Sequence, residues 1–413
     1  MPTTVTKSIG TTSRDYSTVQ AWEDACPANL VSADQIWRGE CYNDSEFTVA
    51  GTVLTISGIT TDSTRYPELT AATGQSFIDH ATVASNARKY DATKGVGLRD
   101  TTNYGYAVFG GVDYMRISRL QFQGGATEAC INPSAAASAD WNQCIFNGPG
   151  ETQIRGTNAR IRNSLVMAHI GSTGLRLSYG ADSYNNTVAW PSDVSNTGTT
   201  GIVSNDSGNI VQNTGVWGFA TASSGTFDTT NSKNNATNLA SIVGASGNQT
   251  SKTYANQFQG TTNAARDFRP KAGADTIDTG TTDSTNAATD LIGTARPSGA
   301  SYDIGAEEYV SAGGALTLNA DQGTVTVTGY AATTRFSAAA AQGVVAVTGQ
   351  AATTRLGMAA AQGSVAVTGQ ASTVGFLTAA AQGSVAVTGQ AATVNWQMAG
   401  AQGSVAITGY DAT

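Results

Sequence analysis

The chain has 413 residues, of which only 13% are charged, and its formal net charge is −8 at pH 7. This length exceeds one ordinary compact core, so two or more domains or an elongated repeat fold are expected. An acidic chain without basic clusters is not expected to bind nucleic acid, and no run approaches the roughly 20 apolar residues of a membrane helix.

The first 34 residues predict an N-terminal segment with one short capping helix. Ser17 and Gln20 have capping-box spacing, Trp22 supplies an apolar face, and Pro27 ends the pattern. The start contains no apolar signal segment, which predicts synthesis and retention in the cytoplasm. In that compartment the four cysteines are expected to be free buried thiols, although two disulfide bridges remain the alternative.

Residues 35–265 predict stacked β-strands, because similar segments return every 20–27 residues. Five of them align, and their first residues are Ile117, Trp141, Ile161, Tyr184 and Val211. Their last residues are Phe122, Phe146, Val166, Ala189 and Val216. An asparagine column of Asn163, Asn186 and Asn213 lies between them, and such amides can bond from coil to coil. The columns favour a parallel β-solenoid over an antiparallel sandwich, which predicts no matching columns.

Two stretches also resemble a known family. "IWRGECYND…LTISG" resembles the opening coils of pectate-lyase-like right-handed parallel β-helix proteins. "DFRPKAGADTIDTG…TDLIGTARPSGASYDIGAEEY" resembles the closing motif of bacterial and bacteriophage β-helix proteins. The resemblance implies an all-β fold with a closing module at residues 266–310. Its charged side chains are expected to pair with one another and seal the end of the solenoid: Asp267, Arg269, Asp278, Asp290, Arg296, Asp303 and Glu307.

Residues 311–413 contain a different, literal repeat. Gln-Gly and Thr-Gly each recur five times with a period of twenty residues. Each unit holds two alternating segments, which predicts five tandem β-hairpin units. One unit cannot bury its valines alone, and few charges protect its edges. The repeats are therefore expected to pack in an assembly; an exposed spacer of tandem hairpins is the alternative.

Candidate chemistry is sparse along the chain. Arg116, Asp140 and Arg160 are predicted to form an outward ladder of alternating charge. A solvated face is the expected interpretation, and binding of an acidic sugar is the alternative. Asp182 is expected to stack against Ala159 and Asn209, so the central coils bring no pair of acids together for hydrolysis. No catalytic residue, metal site or cofactor is predicted, although the polar loop 191–206 leaves room for a site.

Two classes of function follow as expectations. The first is a bacteriophage structural protein, such as a capsid decoration protein, head fibre, or tail fibre or spike component. It would be assembled in the host cytoplasm, exposed to the medium on the virion, and bound to other virion proteins or to itself. A homo-oligomer, for example a trimer, and contact with a surface polysaccharide are expected, with no nucleic acid or membrane partner. The second is a polysaccharide-active β-helix enzyme or a secreted bacterial adhesin.

Overall fold

The computed structural model describes residues 1–310 except 103–104, 126–129, 134–135, 149–150, 170 and 172, and ten strands between Leu316 and Thr408. The chain divides into two compact units, Met1–Tyr309 and Val310–Thr413. The fold is all-β with few helices and long parallel sheets, consistent with a parallel β-helix. In the described part of the chain, no helix has the length and apolarity that crossing a membrane requires.

The helices of the first unit are short. They are α1 (Val19–Asp24), α2 (Leu30–Ala33), α3 (Tyr254–Gln257) and one 3₁₀ turn, Phe77–Asp79. The predicted N-terminal helix is present, and Val19 and Trp22 are its buried apolar side chains. Its cap is Thr18 rather than Ser17, since the Thr18 hydroxyl accepts from the Ala21 backbone N–H at 3.1 Å.

The strands of the first unit are also short. They are β1 (Thr3–Ile9), β2 (Gln35–Cys41), β3 (Phe47–Val49), β4 (Leu54–Ile56), β5 (Pro67–Ala71), β6 (Gly97–Asp100), β7 (Val108–Gly110), β8 (Arg116–Ser118), β9 (Gln121–Gln123), β10 (Ile131–Asn132), β11 (Asp140–Asn142), β12 (Ile145–Gly148), β13 (Thr152–Arg155), β14 (Arg160–Arg162), β15 (Leu165–Ala168), β16 (Thr173–Ser178), β17 (Asp182–Tyr184), β18 (Thr187–Ala189), β19 (Thr200–Asn205), β20 (Val211–Gln212), β21 (Gly215–Trp217), β22 (Thr221–Thr226), β23 (Ala236–Thr237), β24 (Phe258–Gly260) and β25 (Asp267–Pro270).

Strands β1 to β23 form three parallel sheets, which the chain visits in turn. Sheet A has the order β1-β2-β5-β8-β11-β14-β17-β20. Sheet B has the order β3-β6-β9-β12-β15-β18-β21-β23, and sheet C has the order β4-β7-β10-β13-β16-β19-β22. From β2 to β22, each turn of the chain thus adds one strand to each sheet, about 4.8 Å from its predecessor.

The core lies inside these coils, where like side chains meet from turn to turn. Phe122 and Phe146 stack with ring centroids 5.2 Å apart, and Trp141 meets both rings edge-on. All three side chains are buried. Such offset and edge-to-face contacts stabilise aromatic pairs beyond their burial, so the predicted apolar columns form the interior.

The corner between sheets A and B is a column of left-handed residues. Its members, with positive φ in each case, are Arg119, Gln143, Asn163, Asn185, Asn213 and Asn234. Asparagine tolerates this region better than most side chains, which explains its frequency at a corner that every coil must turn.

A second apolar cluster lies on the outer face of sheet B. Residues 254–309, here called the strap, fold across that face and cover it. The cluster comprises Phe77, Ile145, Leu165, Met167, Ala189, Trp217, Ala236, Phe258, Phe268, Leu291, Ile304 and Ala306. The strap contacts coils far apart in the stack, since Gly305 N donates to Asn213 O at 2.9 Å while Gln143 Nε2 donates to Asp290 O at 2.7 Å. The strap therefore lies along the side of the stack.

The second unit contains two parallel sheets of five described strands each. One sheet is β26 (Leu316–Leu318), β28 (Ala331–Ala338), β30 (Ala351–Ala359), β32 (Ala371–Ala379) and β34 (Val394–Ala399). The other is β27 (Gln322–Thr328), β29 (Gln342–Thr348), β31 (Gln362–Thr368), β33 (Gln382–Thr388) and β35 (Gly403–Thr408).

The predicted hairpin pairing in this unit is wrong. Each strand pairs in parallel with the equivalent strand one repeat later, as in the register Gln342↔Gln362↔Gln382. Consecutive strands belong to different sheets. The physical reason is the literal repeat, because only parallel pairing brings identical residues of a twenty-residue period into register.

Candidate functional site

The predicted charge ladder exists as a row of paired positions in sheet A. Asp140 pairs with Arg116 on one side and with Arg160 on the other. The row continues in both directions with alternating charge through Arg38, Glu68 and Asp182. The expected neighbours of Asp182, Ala159 and Asn209, are each wrong by one residue. Asp182 pairs with Arg160, and the register Ser183↔Val211 places it beside Ile210 on the other side.

Asp140 is occupied by contacts within the chain. Its side chain is buried, and Arg162 binds both carboxylate oxygens, at 2.8 Å from Nε to Oδ1 and 2.6 Å from Nη2 to Oδ2. Arg160 Nε lies 3.3 Å from Oδ1. Burial opposes ionisation of the carboxyl, but the hydrogen bonds and charges of Arg162 and Arg160 outweigh it and lower the Asp140 pKa.

The strap covers this group. The Asn286 carbonyl accepts from Arg162 at 2.9 Å, and its side-chain oxygen accepts from Arg160 at 3.2 Å. Arg116 instead lies over the Tyr66 ring, 3.9 Å from its centroid. The sequence did not predict that Arg162 and Asn286 take part in this group. Arg162 lies two residues after Arg160 on β14, so its side chain is on the same face of the sheet. Ligand binding by Arg116, Asp140 and Arg160 stays a prediction.

The charged residues of the closing motif hold the strap together and to the coils. Asp267 pairs with Arg269 at 2.6 Å, and Arg296 pairs with Glu308 at 2.5 Å with both side chains fully buried. Asp303 accepts backbone N–H groups from Asp278 at 2.7 Å and from Tyr309 at 2.5 Å.

Two other motif residues bind outside the expected pairs. Glu307 pairs with Arg88 of the loop between β5 and β6. Asp290 accepts from the Ile292, Thr294 and Glu308 backbone N–H groups. The expected seal at the end of the solenoid is therefore corrected to a fastening along its side, because the apolar outer face of sheet B needs a cover.

The asparagine ladder also differs by one residue from the prediction. Asn163 N donates to Tyr184 O, which places Asn163 beside Asn185, and Asn213 Nδ2 donates to Asn185 Oδ1 at 3.1 Å. The ladder of the corner is thus Asn163, Asn185 and Asn213. Asn186 lies one position further on, inside the stack.

Asn186 has a separate structural role. Its Oδ1 accepts from Ser164 N at 2.8 Å, and its Nδ2 donates to Ile161 O at 2.8 Å and Ser183 Oγ at 2.9 Å. One buried amide thereby ties the coil before it to its own coil. Asn235 repeats the arrangement, accepting from Thr214 N and donating to Val211 O.

A polar cleft with a volume of about 370 Å³ opens on the outer face of sheet C. Its lining residues are Gln153, Arg155, Arg176, Ser178, Tyr179, Asn205 and Asp206. Strands β13, β16 and β19 position them, because alternate residues of a strand face opposite sides. Ile154, Leu177 and Ile202 face inward and are buried, and the intervening Arg155 and Arg176 face outward.

Charged and aromatic groups of the cleft have defined geometry. Tyr179 adopts a left-handed φ of 62° directly after β16, and its side chain is 54% exposed. The Arg155 guanidinium lies 5.4 Å from the centroid of that ring. Arg176 Nε donates to Glu151 Oε2 at 2.8 Å, and Gln153 donates to the other oxygen of Glu151.

The far wall of the cleft is fixed by a turn after β19. Ser204 Oγ donates to Asp206 O at 2.9 Å, and Asp206 Oδ1 accepts from Gly208 N at 3.1 Å. The segment 191–206, predicted from the sequence to be a polar loop, is corrected in its last part, because Thr200–Asn205 form strand β19, which leads into this wall. The sequence signal that was missed is a Tyr-Gly turn, residues 179–180, following an Arg-bearing strand.

The described residues include no group of three or more His, Cys, Asp or Glu side chains suited to hold a metal ion. His80 bonds with the Thr82 hydroxyl, while burial lowers the pKa of His169 to about 4. All four cysteine thiols are free.

Comparison with known proteins found no matching family model, curated protein or solved structure.

Proposed function

We propose that this chain is a structural protein of a bacteriophage particle, either a capsid decoration protein or head fibre, or a component of a tail fibre or spike. In this proposal the first unit is a right-handed parallel β-helix that presents a surface for assembly or for binding a glycan on the host. The expected partners are other virion proteins and further copies of this chain.

The observation that carries the proposal is the in-register pairing of the second unit. Strands one repeat apart pair in parallel over their length, from Gln322↔Gln342 to Gly383↔Gly403. Open parallel sheets of this kind have edges that add further strands, and the sequence of these repeats supplies few charges or prolines that would block them. A region of this kind is suited to assembly with other subunits.

The first unit supports a role as a rigid display surface. Its three sheets bury a continuous core, and the strap fastens one side, so the outer face of sheet C projects from a fixed scaffold. Binding residues placed on strands are held more firmly than those on loops. The cleft between β13, β16 and β19 is the surface that we propose for contact with a glycan.

The alternative is a polysaccharide-active enzyme or a secreted adhesin. Glycoside hydrolysis generally uses two carboxyl groups about 5–9 Å apart. Asp206 is the one carboxylate among the residues that line the cleft. This composition favours binding over cleavage.

The test of assembly is the absolute mass of the full-length protein by light scattering, compared with a chain ending at Tyr309. The circular dichroism of the shortened chain must first match a β-rich fold. We expect a full-length oligomer, for example a trimer, that becomes a monomer on truncation. A full-length monomer would contradict self-assembly through the repeats and leave a decoration protein that binds another virion protein.

A further inference from the structure

The outer face of sheet C carries the exposed aromatic rings of the chain's described residues. Phe109 on β7 is 41% exposed, and Tyr179 after β16 is 54% exposed. Between them runs one outward row, in which Phe109 pairs with Asn132, and the row then continues through Gln153 to Arg176. At about 4.8 Å per coil, Phe109 and Arg176 lie about 14 Å apart.

Among the described residues, Arg155 is the cation of this face that has no countercharge. Arg176 pairs with Glu151, but Arg155 forms no salt bridge within the described ranges. Its guanidinium instead lies over the Tyr179 ring. Guanidinium groups elsewhere are mostly committed, as for Arg88 with Glu307 and Arg162 with Asp140. An uncommitted guanidinium beside an exposed ring is a site for an external anion.

We propose that this cleft binds a saccharide that carries a carboxylate group. The exposed Tyr179 ring packs against the apolar face of one sugar ring, and Arg155 pairs with the carboxylate through two N–H groups. Asn205 and Asp206, on the opposite wall, accept hydrogen bonds from sugar hydroxyls. The inference rests on the proposed glycan-binding role and names the class of glycan.

The charge balance favours a carboxylated sugar over a polyphosphate. The lining contains two guanidiniums and one carboxylate, and Glu151 already engages Arg176. With Asp206 and Glu151 counted, this group carries no net charge, and Arg155 is its one guanidinium without a carboxylate partner among the described residues. A single carboxylate can pair with that one guanidinium, whereas a nucleic acid or polyphosphate needs several cations.

The test uses the full-length chain on an array of acidic bacterial polysaccharides, each printed beside its carboxyl-reduced form. We expect at least one acidic polysaccharide to bind, with its reduced form at least tenfold weaker. Arg155→Gln should weaken binding of the acidic form at least tenfold but leave the reduced form unchanged. Tyr179→Ala should weaken both forms at least fivefold.

Lys271→Gln is the matched control, because it removes one positive charge from an exposed position on the strap. Its affinity should stay within twofold of that of the unchanged chain. The proposal is overturned if no acidic polysaccharide binds, if the reduced form binds equally well, or if Arg155→Gln retains full affinity.

Failure here is distinguishable from failure of the proposed function. Oligomeric mass and presence in a particle do not depend on Arg155 or Tyr179. If the chain is found in assembled particles but does not bind acidic glycans, only this inference is overturned.

Discussion

Arg88 and Glu307, 219 positions apart in the chain, form a buried bidentate ion pair. Arg88 Nε donates to Oε2 at 2.6 Å, and Nη2 donates to Oε1 at 2.7 Å. Arg88 also donates to the carbonyls of Val83 and Asn86. The pair fastens the strap to the loop between β5 and β6, and so joins the last part of the unit to its early coils.

Removing one charge of this pair should destabilise the first unit strongly. Glu307→Gln leaves the Arg88 guanidinium buried without its countercharge, which costs about 3–5 kcal/mol in the free energy of unfolding. Urea denaturation followed by tryptophan fluorescence measures the change. Asp34→Asn is the control, because Asp34 pairs with Arg65 at an exposed site and should change stability little. Equal effects of the two substitutions would contradict a fastening role for the buried pair.

Asp182 should make stability depend on pH. Burial raises its pKa to about 6, with Asp228 adding to the effect. The folded state therefore binds this proton more tightly than the unfolded state, whose Asp pKa is about 3.9. The resulting stabilisation is complete below about pH 4 and is lost as the pH rises through about 6.

Asp182→Asn tests this pH dependence because it keeps the acceptor for Ile210 N without ionising. We expect the free energy of unfolding of the variant to be close to that of the unchanged chain at pH 4 and higher by up to about 3 kcal/mol at pH 7.5. Denaturation curves at the two pH values measure it. A variant whose stability relative to the parent is the same at both values would show that Asp182 titrates normally.

The buried Asn186 amide should contribute more to the free energy of unfolding than a side chain in an exposed turn. Asn186→Ala leaves Ser164 N–H and Ile161 C=O buried without partners, which we expect to cost about 3 kcal/mol. The measurement is the shift in denaturation midpoint at constant slope. Asn231→Ala, at an exposed turn, should leave the midpoint nearly unchanged, and a similar loss at both positions would argue against the special role of Asn186.

The thiols should react according to burial. Cys41, Cys130 and Cys144 are fully buried, and burial raises the pKa of Cys26 and Cys144 to about 12. A thiol-specific reagent at pH 8 should therefore label at most Cys26 quickly in the folded chain and all four thiols after denaturation. Fewer than four labelled thiols in denaturant without reductant would reveal a disulfide.

The stacked coils could be predicted from the sequence because the same interior positions recur in each turn. The columns from Ile117 to Trp141 and Ile161, and from Phe122 to Phe146 and Val166, pair as predicted. The next coil was misaligned because Tyr184 has the size expected of a core residue. The interior position belongs to Ser183, whose hydroxyl bonds with the Thr214 hydroxyl and accepts from Asn186 Nδ2.

Other features depend on contacts that no local pattern encodes. The sequence predicted a closing module at residues 266–310, which the structure includes in the first unit. The place of the strap along sheet B follows from the outward Leu165, Met167 and Trp217, whose need for cover a strand pattern alone does not reveal. The cleft joins residues of three coils, so the proximity of Arg155 and Tyr179 could be identified only after the coils are stacked.

The most direct test of the proposed function is the protein composition of phage particles purified by density gradient from a culture that produces this chain. Mass spectrometry should detect peptides from both units in intact particles, at a fixed ratio to the other structural proteins. Peptides found in the medium or cell envelope but absent from particles would contradict a virion role and favour the secreted adhesin or polysaccharide-active enzyme.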